Sequence, residues 1–517
     1  VYRYLAGCFG LISCRHYLAV LLSLGSFAAA EDAEKINLVY YYAGNGMQRD
    51  TQLVNEKINE LLSQIPGLEN VSITLMPSLP NEYQQKLMLT MTAEEPVDIV
   101  STYRSSANIT DEFRKGTYIP LDDLMALIPD TIAELPEWVM DYGKVDGKQY
   151  YIPTYQQNGN VMQVIIPEEY LPYIADGTKE GIRKVLWEGT MEEKIDMMLN
   201  YTRALREAYP EKEIYTEPIS SIFMPDYDPI TSGGYRGLVV MSDTNQVVEC
   251  YSNDMIKLVF QKNAEAYDEG LIPEDILTLK VSDYSNANML NDRAFCWAGG
   301  QGVETEEAYE KMFAESYGFP VVVVRVSPTY YVKYFYAAGG NAITSTCEHP
   351  EEAIKFIDLL CSKKGAEIYN TLVYGLEGVQ YEKIDETHIK TLEYDVTQGS
   401  AANTYSAWKW NLGNTFNAWL NQACSDELND RIVNVVHGSE ARFSNLIGFI
   451  LDTSTVDVEL AQVMALQKEY EDGLFKGVMG ADWEAYFNEY CAKLEAAGGQ
   501  KVIDTLQAQV DAFLAAK

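Results

Sequence analysis

The sequence is poor in the residues and motifs that most enzymes and nucleic-acid-binding proteins use. It has only 4 histidines among 517 residues, and 39 basic residues against 76 acidic ones give a formal net charge of -37. Such a negative field repels phosphate backbones, which argues against nucleic-acid binding. H-E-x-x-H, C-x-x-C, G-x-S-x-G and G-x-x-x-x-G-K-[ST] are all absent, which argues against several hydrolase classes and nucleotide-binding loops. A glycosidase needs only two carboxylates, so these absences do not exclude that class of enzyme.

Long hydrophobic runs are also missing beyond the amino terminus, so no membrane-spanning helix is expected. Arg15 precedes a short apolar run that ends in A-x-A at Ala30. This pattern predicts a secretory signal peptide over residues 1–30 and an exported protein. LAGC and LISC resemble lipid-attachment boxes, so a lipid anchor at Cys8 or Cys14 is the alternative. The later cysteines are scattered, and we expect mostly buried free thiols, with one possible bonded pair.

Tyrosine is abundant, with 37 residues against 16 phenylalanines and 7 tryptophans. A rigid ring with one polar tip suits polar ligands that also have apolar faces, such as sugars. Most of these tyrosines are equally consistent with an ordinary secreted surface. The aromatic excess therefore favours a carbohydrate ligand without locating a site.

Strand and helix patterns alternate along the first hundred mature residues. Strands are predicted at 36–42, 71–76 and 97–102, and helices between them at 50–62 and 83–94. Such β-α-β alternation predicts a parallel sheet with helices on its faces. Ligands of these sheets bind beyond the carboxyl ends of the strands, which are followed here by Gly44–Gly46 and Thr102–Arg104. At 517 residues the chain is too long for one compact core, so two or more lobes are expected.

A second α/β unit is predicted to begin with a strand at 161–167. Further along, Pro350 opens a helix whose apolar positions recur at helical spacing up to Leu360, and Gly365 ends it. Asp146-Gly147 predicts a tight hairpin turn. The chain from about residue 396 is predicted to be largely helical.

Several stretches resemble one protein family. They are HPEEAIKF with N-x-L-x-Y-G-x-E-G-x-x-Y (349–381), GTYIPLDDL (116–124), DGKQYYIP (146–153) and S-x-x-I-G-F-x-x-D (444–452). Together they are similar to the extracellular solute-binding proteins of ABC importers, family one of the carbohydrate type. Within them they resemble the long branch that ends in a domain of unknown function. The similarities span nearly all of residues 36–515.

The resemblance implies an α/β, two-lobed, periplasmic-binding-protein-like (Venus flytrap) fold with a helical carboxy-terminal extension. Each lobe is expected to hold a mainly parallel sheet flanked by helices. The amino-terminal lobe is predicted to contain 36–152 plus 296–340. The other lobe is predicted to contain 153–295 plus 341–517.

The expected function is delivery of a carbohydrate, in particular an oligosaccharide, to the membrane permease of an ABC importer by closure of the lobes. A secreted scaffold, a peptide-binding protein and a secreted glycoside hydrolase are the alternatives. The protein is expected to be a monomer without enzymatic activity, catalytic residues or cofactor. Asp226 and Asp228 belong to a calcium-type group of oxygen ligands, but the glycine of an EF-hand loop is missing, so no metal is expected.

The expected ligand site combines the turns after the first-lobe strands, the crossover and an aromatic residue of the returning strand. The candidate ligand-binding residues are Asn45, Gly46, Tyr103, Tyr155, Gln156 and Trp297. Asn45 and Gln156 offer both donors and acceptors to sugar hydroxyls. Gly46 permits close backbone approach. The three aromatic residues offer ring faces to a pyranose.

Overall fold

The computed structural model describes residues 35–517 apart from several short stretches. These stretches are 103–108, 157–158, 220–221, 223, 232–236, 280–292, 301–304, 334–338, 393, 396–399, 402–403, 423–429, 431–437 and 439. The predicted signal peptide 1–30 and the candidate residue Tyr103 therefore lie outside the described residues.

The described residues form an alternation of strands and helices. The strands are β1 (Ile36–Ala43), β2 (Val71–Ser78), β3 (Ile99–Ser101), β4 (Lys144–Val145), β5 (Lys148–Gln149), β6 (Tyr151–Pro153), β7 (Gly159–Pro167), β8 (Tyr227–Pro229), β9 (Leu238–Met241), β10 (Val247–Glu249), β11 (Cys296–Gly300), β12 (Val321–Arg325), β13 (Tyr330–Val332), β14 (Gly340–Ile343), β15 (Tyr381–Lys383), β16 (His388–Thr391), β17 (Tyr394–Asp395), β18 (Ser400–Ala401), β19 (Leu420–Asn421) and β20 (Ala441–Phe443). The helices are α1 (Thr51–Leu62), α2 (Pro80–Thr92), α3 (Ile109–Arg114), α4 (Pro129–Glu134), α5 (Glu137–Met140), α6 (Lys179–Glu188), α7 (Met191–Ala208), α8 (Asp254–Asp268), α9 (Glu306–Tyr317), α10 (Pro350–Cys361), α11 (Ala366–Tyr374), α12 (Asp457–Phe475), α13 (Trp483–Ala496) and α14 (Gly499–Ala516).

The first large sheet has the strand order β2-β1-β3-β14-β6. β1 is parallel to β2 and β3, as the β-α-β alternation predicted, whereas β14 is antiparallel to β3 and β6. One face of the sheet shares a core with α1, α10 and α11 that includes Leu38, Tyr40 and Phe356. The other face packs against α2 through Tyr41 and Tyr83. Burial on both faces explains why β1 is a continuous run of aliphatic and aromatic residues.

The second large sheet is organised around β7. β11, β12 and β13 all pair antiparallel with β7, and β13 pairs in parallel with β20. The expectation of a mainly parallel sheet therefore does not hold for this part of the molecule.

We call residues 36–156 and 339–421 the first lobe, and residues 159–333 and 441–517 the second lobe. The predicted assignment of 296–340 to the first lobe differs from the strand pairing, because Trp297 in β11 is the register partner of Val164 in β7. The predicted assignment of 341–517 to the second lobe differs as well. Helix α10 buries its apolar stripe in the core of the first sheet, and the chain returns to the second lobe only after β19. Motif order along the chain does not reveal which sheet a segment pairs with.

The chain passes from one lobe to the other three times: between Pro153 and Gly159, between Val332 and Gly340, and between Asn421 and Ala441. We call these connections the crossovers. The second of these enters β14 at Gly340. A Cβ atom added at Gly340 would lie 2.5 Å from the Ile152 carbonyl oxygen and 2.9 Å from Pro153 Cα. Only glycine lets the incoming strand come this close to β6. Asp146 and Gly147 form the predicted two-residue turn between β4 and β5, both with positive φ.

Helices α12, α13 and α14 form a helical carboxy-terminal region, as the sequence predicted. The predicted start near residue 396 is too early, because the described residues before Asp457 include the strands β18, β19 and β20. A buried carboxylate, Glu249 at the end of β10, joins it to the rest of the second lobe. Glu249 accepts hydrogen bonds from Gln467 Nε2 in α12, from Tyr490 Oη in α13 at 2.8 Å and from the Ser252 backbone N–H at 2.8 Å. Burial raises the pKa of Glu249. A buried carboxylate needs hydrogen-bond donors, and here α12 and α13 supply them. These hydrogen bonds hold both helices against the end of β10.

Five cysteines of the described chain, Cys250, Cys296, Cys347, Cys361 and Cys491, are free thiols. Cys424 lies outside the described residues. In the part of the chain that the structure describes, every helix is too short or too polar to cross a bilayer.

Candidate functional site

The carboxyl edge of the first sheet brings several chain segments together. β1, β2 and β3 are parallel, so the residues that follow them, Gly44, Leu79 and Thr102, lie along one edge. β6 runs in the same direction as β3, because β14 is antiparallel to both, and Thr154 follows it at the same edge. The carboxyl edge is where open α/β sheets bind ligands.

A loop over residues 404–417, which we call the edge loop, lies against this edge and is held near its start and in its middle. Near its start, Asn45 Nδ2 donates to Ser406 Oγ at 2.9 Å and to the Ser406 carbonyl oxygen at 3.1 Å. In its middle, Asn411 Nδ2 donates to the Ala43 carbonyl oxygen at 3.0 Å and to Ser101 Oγ at 3.2 Å. The loop therefore has a defined position at the ends of β1 and β3.

The far end of the edge loop is tied to the first crossover. The Thr415 backbone N–H donates to the Tyr155 carbonyl oxygen at 2.8 Å, and Thr415 Oγ1 donates to the same oxygen at 3.0 Å. The Tyr155 ring packs edge-on against Phe416, with ring centroids 4.7 Å apart. Because Tyr155 is buried in this packing, its pKa is raised. Its ring supports the loop and the crossover rather than forming an open platform.

Two tryptophans of the edge loop form a stacked pair. The rings of Trp408 and Trp410 have centroids 5.2 Å apart and planes 19° apart, and both residues are half-buried. Flat indole faces bind the apolar faces of sugar rings. The sequence analysis missed this pair. In the sequence, only the W-K-W spacing marks these two tryptophans. The hydrogen bonds of Asn411 to Ala43 and Ser101 show that the pair lies at the sheet edge.

Two buried polar atoms at the same edge have no hydrogen-bond partner among the described residues. They are Thr102 Oγ1, on a residue that is 5% exposed, and Asn411 Oδ1, on a residue that is fully buried. The two acceptors of Asn411 Nδ2 define the orientation of this amide, so its oxygen faces away from them. Buried polar atoms are nearly always hydrogen-bonded in native proteins. Ligand hydroxyl groups or water molecules would supply the missing hydrogen bonds of these two atoms.

Four of the six candidate residues lie together at this edge. Asn45 is exposed and holds the edge loop, and Gly46 is buried with a φ of 70°, a conformation that favours glycine. Tyr155 and Gln156 are both buried at the start of the first crossover. Tyr103 lies outside the described residues.

The sixth candidate, Trp297, belongs to the other lobe. It is half-buried on β11 and packs edge-on against Phe295, with ring centroids 5.2 Å apart, beside the second-lobe core. Its indole Nε1–H is buried and has no hydrogen-bond partner among the described residues. The Trp297 ring therefore faces the second-lobe core, and the structure does not bring it together with the four candidate residues at the first-lobe edge.

A carboxylate that the sequence analysis did not single out lies next to Trp297. Glu217 Oε2 accepts a hydrogen bond from the Trp297 backbone N–H at 3.4 Å. Burial raises the pKa of Glu217 to about 7, against the opposing effects of that hydrogen bond and of Arg293. With 76 acidic residues in the chain, no local pattern distinguishes this one.

The fold and the site geometry define a class: the chain has the two-lobed α/β fold of the solute-binding proteins. A solved structure of the N-glycan transport solute binding protein (NgtS) from Streptococcus pneumoniae covers 93% of this chain and 99% of its own, with a TM-score of 0.68 and 19% sequence identity. The structure of that protein in complex with Man1GlcNAc matches with a TM-score of 0.63 and 20% identity, covering 93% of this chain and 100% of its own. At such identities the likeness establishes the fold.

Sequence comparison gives a relative in the same class. A carbohydrate ABC transporter substrate-binding protein from Streptococcus pneumoniae serotype 4 (strain ATCC BAA-334 / TIGR4) is 25% identical over 304 residues, which are 57% of this chain. The match spans 58% of that relative's length. Residues 445–515 match a family described as a domain of unknown function (DUF3502). The chain is therefore similar over part of its length to a carbohydrate ABC transporter substrate-binding protein, and its last residues match the carboxy-terminal domain that its sequence motifs predicted.

Proposed function

We propose that this protein is the solute-binding component of an ABC importer and that it binds an oligosaccharide at the carboxyl edge of its first lobe. The observation that carries this proposal is the Trp408–Trp410 stack on the loop that also carries Asn411. Asn411 Oδ1 and Thr102 Oγ1 at this edge are buried and have no hydrogen-bond partner within the described part of the chain. Sugars need this combination, since they present apolar ring faces and hydroxyl groups that both donate and accept. The fold and the relative supply the transport context.

In this proposal the ligand is held between the lobes. The first-lobe edge supplies the tryptophan pair and the backbone around Gly46, and the crossover supplies Gln156. Trp297 and Tyr103 complete the candidate set from the sequence. Closure about the crossovers buries the sugar, and the permease recognises the closed form. No bond is broken, so the protein acts as a carrier and not as an enzyme. The protein would act after export, outside the membrane, as a free or lipid-anchored chain.

The test is calorimetric titration after a thermal-shift screen of neutral mono- and oligosaccharides that includes Man1GlcNAc. Replacement of Trp408 or Trp410 by alanine removes one stacking surface and should weaken binding by about tenfold or more. Trp297→Ala tests the contribution of the second lobe in the same titration.

Trp483→Ala is the matched control, because this half-buried tryptophan packs in the carboxy-terminal helices and away from the sheet edge. Its affinity should equal that of the parent. Folded Trp408→Ala and Trp410→Ala variants with parental affinity would show that the edge loop is not the sugar site.

A further inference from the structure

The first residues of the domain of unknown function run between the two lobes. We call residues 447–452, Ile-Gly-Phe-Ile-Leu-Asp, the clasp segment. Neighbouring side chains of this segment contact different lobes. Phe449 packs into the second-lobe core and lies 5.5 Å from Phe513 of α14 between ring centroids. Ile450, the next residue, packs instead against the first-lobe cluster that contains Tyr41 and Tyr83.

A left-handed glycine and a shared apolar cluster precede this alternation. Gly448 has a φ of 84°, which favours glycine, and it lies next to Asp141, since an added Cβ atom would be in ordinary contact with Asp141 Cβ at 3.7 Å. Ile447 is buried together with Tyr142 of the first lobe and Val332 of the second. Tyr142 Oη also donates to the Lys333 carbonyl oxygen at 3.3 Å, where the second crossover begins.

The last residue of the clasp segment contacts both lobes through polar groups. The Asp452 backbone N–H donates to Gln509 Oε1 at 2.9 Å, and Gln509 Nε2 donates to the Asp452 carbonyl oxygen at 2.7 Å, which attaches Asp452 to α14. Its carboxylate oxygen lies 3.8 Å from Arg114 Nη1 of the first lobe. Arg114 also pairs with Asp146 in the β4–β5 turn at 3.2 Å.

Beside the clasp segment lies a pocket of about 660 Å³ with walls from both lobes. Its first-lobe wall includes Arg114 and Lys144, and its second-lobe wall includes Gln509 and Phe513. Any rotation of one lobe against the other changes the distance between these walls. Residues of the clasp segment, among them Gly448, Ile450 and Asp452, also line this pocket.

We propose that the carboxy-terminal domain of unknown function, through residues 447–452, is a non-covalent clasp that joins the two lobes beside the crossovers and limits their separation in the sugar-free protein. The three crossovers are covalent connections that leave rotation possible, whereas Ile447, Ile450 and Asp452 resist it. Apparent ligand affinity depends on the population of the binding-competent arrangement, so the clasp also sets affinity. This role goes beyond the proposed sugar binding and does not depend on the identity of the ligand.

The experiment measures the radius of gyration of sugar-free protein by small-angle X-ray scattering. A chain of this length has an expected radius of about 23 Å. Ile450→Ala removes the apolar contact with the first lobe and should raise the radius by about 1 Å or more, roughly a twentieth of that value. Leu460→Ala is the control, because Leu460 lies in the same domain but packs only against the second-lobe core. Its radius should equal that of the parent.

A charge exchange supplies a second test that does not depend on core packing. Asp452→Arg places like charges beside Arg114 and should enlarge the radius in the same direction. The double variant Arg114→Glu with Asp452→Arg restores opposite charges and should return the radius toward that of the parent. The proposal is overturned if Ile450→Ala and Asp452→Arg, shown to be folded by circular dichroism, scatter like the parent or become more compact. It is equally overturned if Leu460→Ala expands as much as Ile450→Ala.

Discussion

Among single residues, Glu217 shows how burial alone changes the chemistry of a side chain. It is one of 76 acidic residues, yet its carboxylate lies against the backbone of Trp297 beside Arg293, where water is largely excluded. Removal of water from a charge disfavours the ionised form, and this effect exceeds the two favourable interactions. The pKa of Glu217 is therefore raised to about 7, from an ordinary value of 4.5.

This shift predicts a pH dependence of stability with a definite sign. A carboxyl group whose pKa is higher in the folded state binds its proton more tightly there, so folding loses stability as pH rises from about 4.5 to about 7. Relative to Glu217→Gln, the parent should lose up to about 3 kcal/mol of unfolding free energy across that window and no more above it. Urea titrations of both proteins from pH 4.5 to 8 measure the difference.

Glu213→Gln serves as the control, because Glu213 is exposed four residues earlier. Its stability difference from the parent should not change with pH. A Glu217→Gln difference that is equally constant would mean that folding does not raise the pKa of Glu217.

Among the elements, helix α10 explains why the lobes divide the chain as they do. Its residues Ala353, Phe356, Ile357 and Leu360 are fully buried. The Phe356 ring lies 5.9 Å from Tyr40 of β1 in an edge-on arrangement. A helix with such a stripe requires an apolar partner surface, and here the first sheet provides it.

The variant Phe356→Ala should therefore destabilise the first lobe by about 3–5 kcal/mol, because it leaves a cavity in a packed core. Hydrogen exchange measured by mass spectrometry should show faster exchange in β1 and β2, while β7 and β12 keep their protection. The exposed position Glu351 in the first turn of the same helix gives the control variant Glu351→Ala, which should leave all strands unchanged. Equal loss of protection in β7 would show that α10 does not belong to the first lobe alone.

At the scale of the whole molecule, the net charge of -37 is the dominant long-range feature. Mutual repulsion of so many carboxylates opposes the compact state, and salt screens it. The screening length falls from about 30 Å at 0.01 M salt to about 8 Å at 0.15 M. The melting temperature should therefore rise over this range of sodium chloride.

The same two salt concentrations, applied to ligand binding, test the charge of the ligand. A neutral oligosaccharide should bind with an affinity that is independent of salt between 0.01 and 0.15 M, because it has no charge to be screened. Calorimetry at both salt concentrations checks this expectation. An affinity that changes severalfold would indicate a charged ligand and would contradict binding of a neutral sugar.

For the protein without ligand, a melting temperature that falls with added salt would contradict the expected repulsion between carboxylates.

Local patterns in the sequence determined the elements and the class of fold. β-α-β alternation predicted the parallel pairing of β1 with β2 and β3, the Asp146-Gly147 pair predicted the hairpin turn, and Pro350 predicted the start of α10. These features depend on neighbours a few residues apart, so the sequence displays them directly. The motifs that resemble solute-binding proteins added the two-lobed architecture and the helical carboxy-terminal region.

Tertiary structure alone decided which segments share a lobe and which residues come together at the candidate site. β11 pairs with β7 and α10 packs on the first sheet because of contacts between positions more than a hundred residues apart. The edge loop reaches the ends of β1 and β3 through Asn411, some 310 residues beyond Ser101. Hydrogen bonds and packing at such separations leave no periodic mark on the chain. Asn45 and Gly46 directly follow a predicted strand, so they could be proposed from the sequence. The position of Trp408 and Trp410 at the sheet edge and the contacts of the clasp segment with both lobes could be recognised only in the folded molecule.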